Sequence, residues 1–170
     1  MDMQLTFKNE PVQINGHFVE VGKTIAGFTL ADTKLDDKTL DDFKENLLLI
    51  NIFPSVDTSV CSDSVRLFNL KAGAFKDSRV LCISKDLPFA QARFCGAENI
   101  KNVEMLSAFR SPEFGKSYGV EIASSPIKGL LARAVIIVNS ARQVVYAQLV
   151  SEITEKPDYD RCLDAMSTYA

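Results

Sequence analysis

Apolar residues fall into short runs along the chain, and the spacing within each run predicts a strand or a helix. Residues 47–53 (LLLINIF) and 79–84 (RVLCIS) are nearly continuous apolar runs, as in strands that are covered on both faces. Between them, from Cys61 to Phe75, apolar positions recur every three or four residues, which predicts one buried stripe of a helix. Strand, helix and strand in this order predict a βαβ unit.

Two further elements are predicted after this unit. Residues 88–96 (PFAQARFCG) predict a short helix, with Pro88 near its first turn and Gly96 just past its end. Residues 102–109 (NVEMLSAF) are a further strand candidate, so strands and helices continue to alternate.

The C-terminal part predicts a hairpin and a closing helix. Residues 133–139 (RAVIIVN) and 143–150 (QVVYAQLV) flank a polar turn, which is typical of two antiparallel strands. The last helix is expected to begin near Pro157. Its buried positions, at helical spacing, are Tyr159, Cys162, Leu163 and Met166.

Residues 6–21 predict a β-hairpin at the N-terminus, because Asn15-Gly16 supplies the positive φ angles of a tight turn. A βαβ unit, a β-hairpin and a closing helix give the order of an α/β, thioredoxin-like fold, here with an added N-terminal hairpin. With 170 residues, the chain is expected to form a single domain spanning residues 1–170.

Composition and charge exclude several classes of partner. The chain is 46% apolar and 24% charged, with a net charge of -3, so nucleic acid and an anionic membrane surface are not expected as partners. No apolar run approaches the length of a membrane span and no signal peptide is recognisable, so the cytoplasm is the expected compartment. The acidic residues 32–46 lack the spacing of a calcium loop and predict a solvated turn with a short helix capped near Thr39.

The four cysteines form no CxxC pair, and the only histidine, His17, lies far upstream, so a zinc cluster is not expected. Cys82 lies inside a predicted strand and Cys162 on the apolar face of the last helix, where each is expected to be a small core residue. Cys95 is ambiguous, because it ends a predicted helix whose terminal turn frays readily.

Cys61 differs from the others because it lies in the first turn of a predicted helix, after the polar turn PSVDTSVC (54–61). A helix N-terminus favours an anion by only about 0.3–1 kcal/mol, so a reactive thiolate needs further donors. Thr58 can supply a hydroxyl, Pro54 can narrow access to the thiol, and Arg133 can supply a cation if its strand runs antiparallel to residues 47–53. The alternative for Arg133 is a solvated residue at the edge of the sheet.

The segment PSVDTSVC has the P-x-x-x-[TS]-x-x-C pattern of peroxiredoxins. The chain closely resembles the bacterial thiol peroxidases, the atypical two-cysteine branch of the peroxiredoxin family. The resemblance extends over nearly the whole chain and includes VLCISKDLPFAQARFCGAEN and QLVSEITEKPDY. Asp63 and Ser64, directly after Cys61, depart from the smaller residues expected there.

The resemblance implies a role for each candidate residue. Cys61 would be the peroxidatic cysteine that becomes a sulfenic acid, and Cys95 the resolving cysteine that forms an intrachain disulfide with it. Thr58 would hydrogen-bond the thiolate and the peroxide, Pro54 would shield the pocket, and Arg133 would fix the thiolate and the peroxide oxygens.

The resemblance also implies substrates and partners. These are hydrogen peroxide and alkyl or lipid hydroperoxides as substrates, thioredoxin as reductant, a homodimer, and no metal or organic cofactor. Because Cys61 and Cys95 are predicted on separate helices, we expect local unwinding around both during turnover. Two alternatives are a peroxide-sensing switch protein on the same fold and, more remotely, a cysteine hydrolase with His17 as base.

Overall fold

The computed structural model describes residues 4–170, which contain eleven short strands and four α-helices. The strands are β1 Leu5–Phe7, β2 Glu10–Val12, β3 Ile14–Asn15, β4 Thr29–Ala31, β5 Asp37–Thr39, β6 Leu47–Ile52, β7 Ser78–Ser84, β8 Glu104–Ser107, β9 Glu121–Ile122, β10 Ala134–Val138 and β11 Val144–Leu149. The α-helices are α1 Ser59–Lys71, α2 Pro88–Glu98, α3 Pro112–Tyr118 and α4 Tyr159–Tyr169.

Seven of the strands form the central sheet, in the order β11-β10-β6-β7-β8-β4-β5. Strands β6, β7 and β8 are parallel and are connected by α1 and α2, whereas β10 and β11 form an antiparallel hairpin beside β6. This arrangement confirms the predicted α/β, thioredoxin-like order of elements. It also confirms that the strand beginning next to Arg133 runs antiparallel to β6.

All six residues of β6 are buried, because successive side chains enter different cores. Leu47 and Leu49 belong to the apolar cluster that includes Cys61 of α1, Cys162 of α4 and residues of α2, here called the helix-side core. Leu48 and Ile50 belong to the cluster on the other face, which includes residues of α3. Burial on both faces explains the continuous apolar run in the sequence.

The predicted N-terminal hairpin is present, but its turn lies elsewhere. Strands β1 and β2 pair with Leu5 opposite Val12. The positive φ angles of the turn occur at Lys8 (53°) and Asn9 (69°). The prediction that Asn15-Gly16 closes the hairpin is wrong, because Asn15 instead pairs in β3 with β9.

Gly16 is required for a reason other than the predicted turn. Its φ is +81°, and a Cβ there would lie 2.2 Å from the carbonyl oxygen of Lys116. Glycine therefore permits a close approach of two backbones at this point.

Helix α2 extends beyond its predicted end. Gly96 lies inside the helix, and Asn99, with φ 55°, provides the left-handed cap. The backbone N–H groups of Asn99 and Ile100 both donate to the carbonyl of Cys95. Cys95 nevertheless occupies the last turn of the helix, as its position in the sequence predicts.

Three other observations complete the fold. Thr39 caps a short 3-10 helix (Leu40–Asp42), with the carboxylate of Asp42 accepting its N–H at 2.7 Å, in agreement with the predicted cap. Helix α3 was not predicted from the sequence. Within the described part of the chain, no helix has both the length and the apolar character needed to cross a bilayer.

Candidate active site

The polar turn that joins β6 to α1 is fixed by Asp86, which follows β7. The Asp86 carboxylate accepts hydrogen bonds from the Ser55 hydroxyl at 2.7 Å and from the Val56 N–H at 2.9 Å. The hydroxyl of Ser84 donates to the same carboxylate at 2.7 Å. Asp86 is not among the residues predicted from the sequence, although an aspartate two residues beyond a buried strand is a signal for such an anchor.

Three of the predicted site residues meet in this turn and at the start of α1. Thr58 is the N-cap, and its side-chain oxygen accepts a hydrogen bond from the Cys61 N–H at 3.4 Å. Cys61 lies in the first turn of α1 and has 0% exposed surface, and Pro54 is buried. The Thr58 hydroxyl donates to the Ser55 carbonyl at 3.2 Å, so it must rotate before it can donate to a ligand.

Arg133 directly precedes β10, whose first residue, Ala134, lies opposite Ile52 at the end of β6. Arg133 is only 2% exposed, which rules out the alternative of a solvated edge residue. Its Nε donates to the carbonyl of Ile153 at 2.9 Å, while its buried Nη1 finds no acceptor within the residues that the structure describes. A buried guanidinium with a free donor is a strong binding group for an anion or a polar oxygen.

Tyr159, the first residue of α4, is a neighbour of this site that sequence analysis placed only on a buried helix face. Its ring packs edge-on against Phe68 of α1, with 5.6 Å between the ring centroids. Burial raises the pKa of Tyr159 to about 12, Arg133 lowers it, and negative charge on Asp63 or Cys61 raises it. Tyr159 also packs against the helix-side core that contains Cys61, so it belongs to the same region of the fold.

The carbonyl that holds Arg133 belongs to a segment paired with β1. Thr6 donates its N–H to the Ser151 carbonyl at 2.8 Å, and the Ile153 N–H donates back to the Thr6 carbonyl at 2.9 Å. Glu152 reinforces this pairing by accepting from the Thr6 hydroxyl at 3.0 Å and from the Asn9 N–H at 2.7 Å. The N-terminal hairpin thus supports the loop on which Arg133 is fixed.

The Glu152 carboxylate is held in its ionised form. Burial by itself raises its pKa, but hydrogen bonds from Thr154, Asn9 and Thr6 lower it to about 2. The support of Arg133 by this loop therefore persists throughout the neutral pH range.

Cys95 lies in the last turn of α2 and is half-buried against the helix-side core that contains Cys61. Both thiols are free. Burial raises the pKa of the Cys95 thiol. The two predicted reacting cysteines therefore lie on different helices that pack against one core.

Exposed ion pairs connect α2 to the Cys61 region. Arg66 of α1 makes two hydrogen bonds of 3.0 Å to Glu98 of α2, and Arg93 of α2 contacts Asp57 of the turn at 3.1 Å. Asp57 thus points outward, and Asp63, one of the residues that depart from the family pattern, also pairs with Arg66, at 2.7 Å. Exposed pairs of this kind contribute about 0–1 kcal/mol each.

The other two cysteines and His17 are not part of this group of candidate residues. Cys82 and Cys162 have 0% exposure, and burial raises the pKa of each thiol to about 12, in agreement with their predicted core positions. His17 is exposed, and its backbone lies against Gly119 at the end of α3. The buried side chains of α3 belong to the core on the face of the sheet opposite Cys61. Among residues 4–170, no group of three or more His, Cys, Asp or Glu side chains is arranged to hold a metal ion.

Comparisons with known proteins decide the family. The Redoxin family profile matches residues 20–163. A thiol peroxidase of Corynebacterium glutamicum is 49% identical over 161 residues, which cover 95% of this chain and 97% of the relative. The chain belongs to the thiol peroxidases of the redoxin family. The prediction of a peroxidase enzyme with a peroxiredoxin-type fold is therefore confirmed.

Solved structures agree with this assignment. A peroxiredoxin-like protein from Aquifex aeolicus superposes with a TM-score of 0.93 at 36% identity, over 100% of this chain and 99% of that one. A thiol peroxidase from Chromobacterium violaceum superposes with a TM-score of 0.88 over 99% of this chain and 97% of that one. At 24% identity, the second comparison supports the fold alone.

Proposed function

We propose that this thiol peroxidase reduces hydrogen peroxide and organic hydroperoxides, including alkyl and lipid hydroperoxides, to water and alcohols, with Cys61 as the nucleophile. The observation that carries the proposal is the position of Cys61 in the first turn of α1, which follows β6, together with a buried Arg133 at the start of the strand paired with β6, whose Nη1 has no acceptor among residues 4–170. The helix N-terminus contributes about 0.3–1 kcal/mol to an anion, and the guanidinium adds the fixed charge that the helix lacks.

In the first step, the thiolate sulfur of Cys61 attacks one peroxide oxygen. The S–O bond forms as the O–O bond breaks, and the bonding electrons leave on the other oxygen, which takes up a proton and departs as water or alcohol. Cys61 is left as a sulfenic acid. Arg133 holds the peroxide oxygens, Thr58 donates a hydrogen bond after its hydroxyl turns away from Ser55, and Pro54 restricts access to the thiol.

In the second step, the sulfur of Cys95 attacks the sulfenic sulfur of Cys61. The S–S bond forms, the S–O bond breaks and water leaves. Thioredoxin, a dithiol, then reduces the intrachain disulfide and restores both thiols. A disulfide requires Cα atoms within about 7 Å, and both cysteines are held by hydrogen-bonded helical turns, so α2 and the first turn of α1 must loosen.

The same cycle suggests where the protein works and in what form. A thioredoxin-dependent cycle fits a reducing compartment such as the cytoplasm, in which the four cysteines remain thiols between turnovers. A homodimer of single-domain chains, each spanning residues 1–170, is supported by the family resemblance.

An assay that follows NADPH loss with thioredoxin, thioredoxin reductase and cumene hydroperoxide tests the proposal. We expect repeated turnover in the intact protein, loss of turnover in Cys61→Ser, and retained turnover in the matched control Cys162→Ala. Turnover that persists in Cys61→Ser would refute the site. Oxidation of Cys61 without repeated turnover would instead favour a peroxide-sensing switch protein.

A further inference from the structure

The site contains a buried donor that the proposed mechanism does not use. The hydroxyl oxygen of Tyr159 is inaccessible to solvent and has no hydrogen-bond partner among residues 4–170, and the same is true of the Nη1 of Arg133. Burying a donor without an acceptor is destabilising, so such groups are rare in folded proteins and are found where a ligand completes them.

A second buried tyrosine shows the usual arrangement. Tyr118 of α3, in the core on the other face of the sheet, donates its hydroxyl to the Ala26 carbonyl at 2.6 Å. Tyr159 lacks such an acceptor although its ring is well packed against Phe68. A phenylalanine would fill the same space without the cost of an unpaired hydroxyl, which indicates that the hydroxyl serves the site.

We propose that Tyr159 is a further catalytic residue, whose hydroxyl donates a hydrogen bond to the leaving oxygen of a bound hydroperoxide beside the Nη1 of Arg133. The inference rests on the proposed role of Cys61 as the attacking thiolate. Neither donor has a partner in the described part of the chain, so an oxygen of the substrate supplies the acceptor that both lack.

The hydrogen bond stabilises charge without net proton transfer. As the sulfur of Cys61 bonds to one oxygen, the O–O bond breaks and negative charge develops on the other oxygen, towards which Tyr159 and Arg133 donate. The charged groups that act on the phenol are Arg133, Asp63 and Cys61, and burial keeps its pKa near 12. Tyr159 therefore remains a donor throughout the working pH range.

Quenched-flow measurement of thiol loss in the fully reduced protein tests the proposal with Tyr159→Phe. We expect the second-order rate constant with cumene hydroperoxide to fall about 10- to 100-fold, less than the roughly 100- to 1000-fold typical of losing an oxyanion donor, because Arg133 remains as a second donor. Alkylation of Cys61 by iodoacetamide should keep its rate, because that reaction has no leaving oxygen. Thermal stability should be unchanged or raised, because the lost hydroxyl has no partner.

Tyr118→Phe is the crossed control, because it removes a hydroxyl that is hydrogen-bonded within the fold. It should lower the melting temperature and leave the peroxide rate of the folded protein unchanged. An unchanged peroxide rate in Tyr159→Phe would overturn the inference and mean that the hydroxyl only holds water. Equal losses towards peroxide and iodoacetamide would also overturn it, since they would indicate a general disturbance of Cys61. Absence of thiol-dependent peroxide reduction in the unaltered protein would instead refute the proposed function.

Discussion

The two cysteines of the candidate site lie in contrasting surroundings. Cys61 has no exposed surface and lies in the first turn of α1, which follows β6, and the buried Arg133 precedes the strand that pairs with β6. Cys95 is half-buried in the last turn of α2, which surface ion pairs connect to α1 and to the turn before it. The surroundings of Cys61 are suited to stabilising an anion, whereas those of Cys95 allow the end of α2 to move.

This contrast suggests that one region binds the peroxide and the other supplies the second thiol. The groups that would act on the peroxide are anchored to buried strands through Asp86, Ile153 and the β6–β10 pairing. The proposed resolving thiol lies in the last turn of α2, and exposed ion pairs that each contribute little connect this part of the helix to α1 and to the turn before it, so the end of α2 can separate at low cost. Substitutions that remove one group at a time test this arrangement.

Cys95→Ser should have the largest effect, since it removes the second thiol while leaving the Cys61 environment intact. We expect the first reduction of peroxide to proceed at the unaltered rate and turnover with thioredoxin to be abolished. The measurements are single-turnover thiol loss and the NADPH-coupled assay. Cys82→Ala, in the neighbouring strand β7, is the control and should sustain turnover. Full turnover in Cys95→Ser would show that another thiol resolves the sulfenic acid.

Arg133→Met should lower the rate constant for peroxide by about 100- to 1000-fold, because it removes the buried charge and keeps much of the side-chain volume. Arg110→Met is the control, because Arg110 pairs with Asp37 at the far edge of the sheet. Similar peroxide rates in the two variants would contradict the role of Arg133.

Glu152→Gln should slow the peroxide reaction by about 10-fold or less, because the loop that holds Arg133 becomes less well fixed. Glu155→Gln, three residues further along the same loop, provides the matched control, because the side-chain hydrogen bonds to the hairpin are accepted by Glu152. The rate of peroxide reduction at saturating thioredoxin is measured for both variants. If both variants behave like the unaltered protein, the hairpin does not support the site.

The Glu152 carboxylate makes the stability of the fold depend on pH in a defined direction. Since hydrogen bonds lower its pKa from 4.5 to about 2, ionised Glu152 stabilises the fold fully above pH 4.5, and this contribution is lost as the pH falls towards 2. Urea unfolding of the unaltered protein and of Glu152→Gln should therefore converge in stability with acidification. A difference that grows below pH 4.5 would contradict the assignment.

The double variant Asp57→Asn and Glu98→Gln should have the smallest effect, because it removes two exposed ion pairs between α2 and the Cys61 region. Each pair contributes about 0–1 kcal/mol, so disulfide formation after the first oxidation should be faster by about 2- to 10-fold. Arg79→Met removes the pair between Arg79 and Glu104, which connects β7 to β8, and should leave the rate unchanged. Slower disulfide formation in the double variant would mean that the pairs guide α2 rather than restrain it.

The sequence predicted those features that depend on local patterns. The continuous run of β6, the stripe headed by Cys61 and the β10–β11 hairpin were all recognisable, because each has a clear period of apolar residues. The antiparallel pairing of β10 with β6 was only a condition for the role of Arg133, because the hairpin alone does not determine which strand lies on its other side.

The features that were missed depend on contacts between distant segments. Asn15-Gly16 has the composition of a tight turn, but the Gly16 backbone instead lies against Lys116, a contact that no local pattern encodes. Glu152 and Asp86 act through residues far away in the sequence. Tyr159 was recognised as a buried aromatic residue, whereas its unpaired hydroxyl is apparent only in the folded protein.

Hydrogen exchange on the fully reduced and fully oxidised protein tests the central contrast most directly. Oxidation should remove protection from amides around Cys95 and in the first turn of α1, because these turns must loosen for the disulfide to form. The amides of β6 and β10 should remain protected in both forms. Equal protection around Cys61 and Cys95 in the two forms, or loss of protection in β6 and β10, would contradict a fixed peroxide site served by a mobile resolving helix.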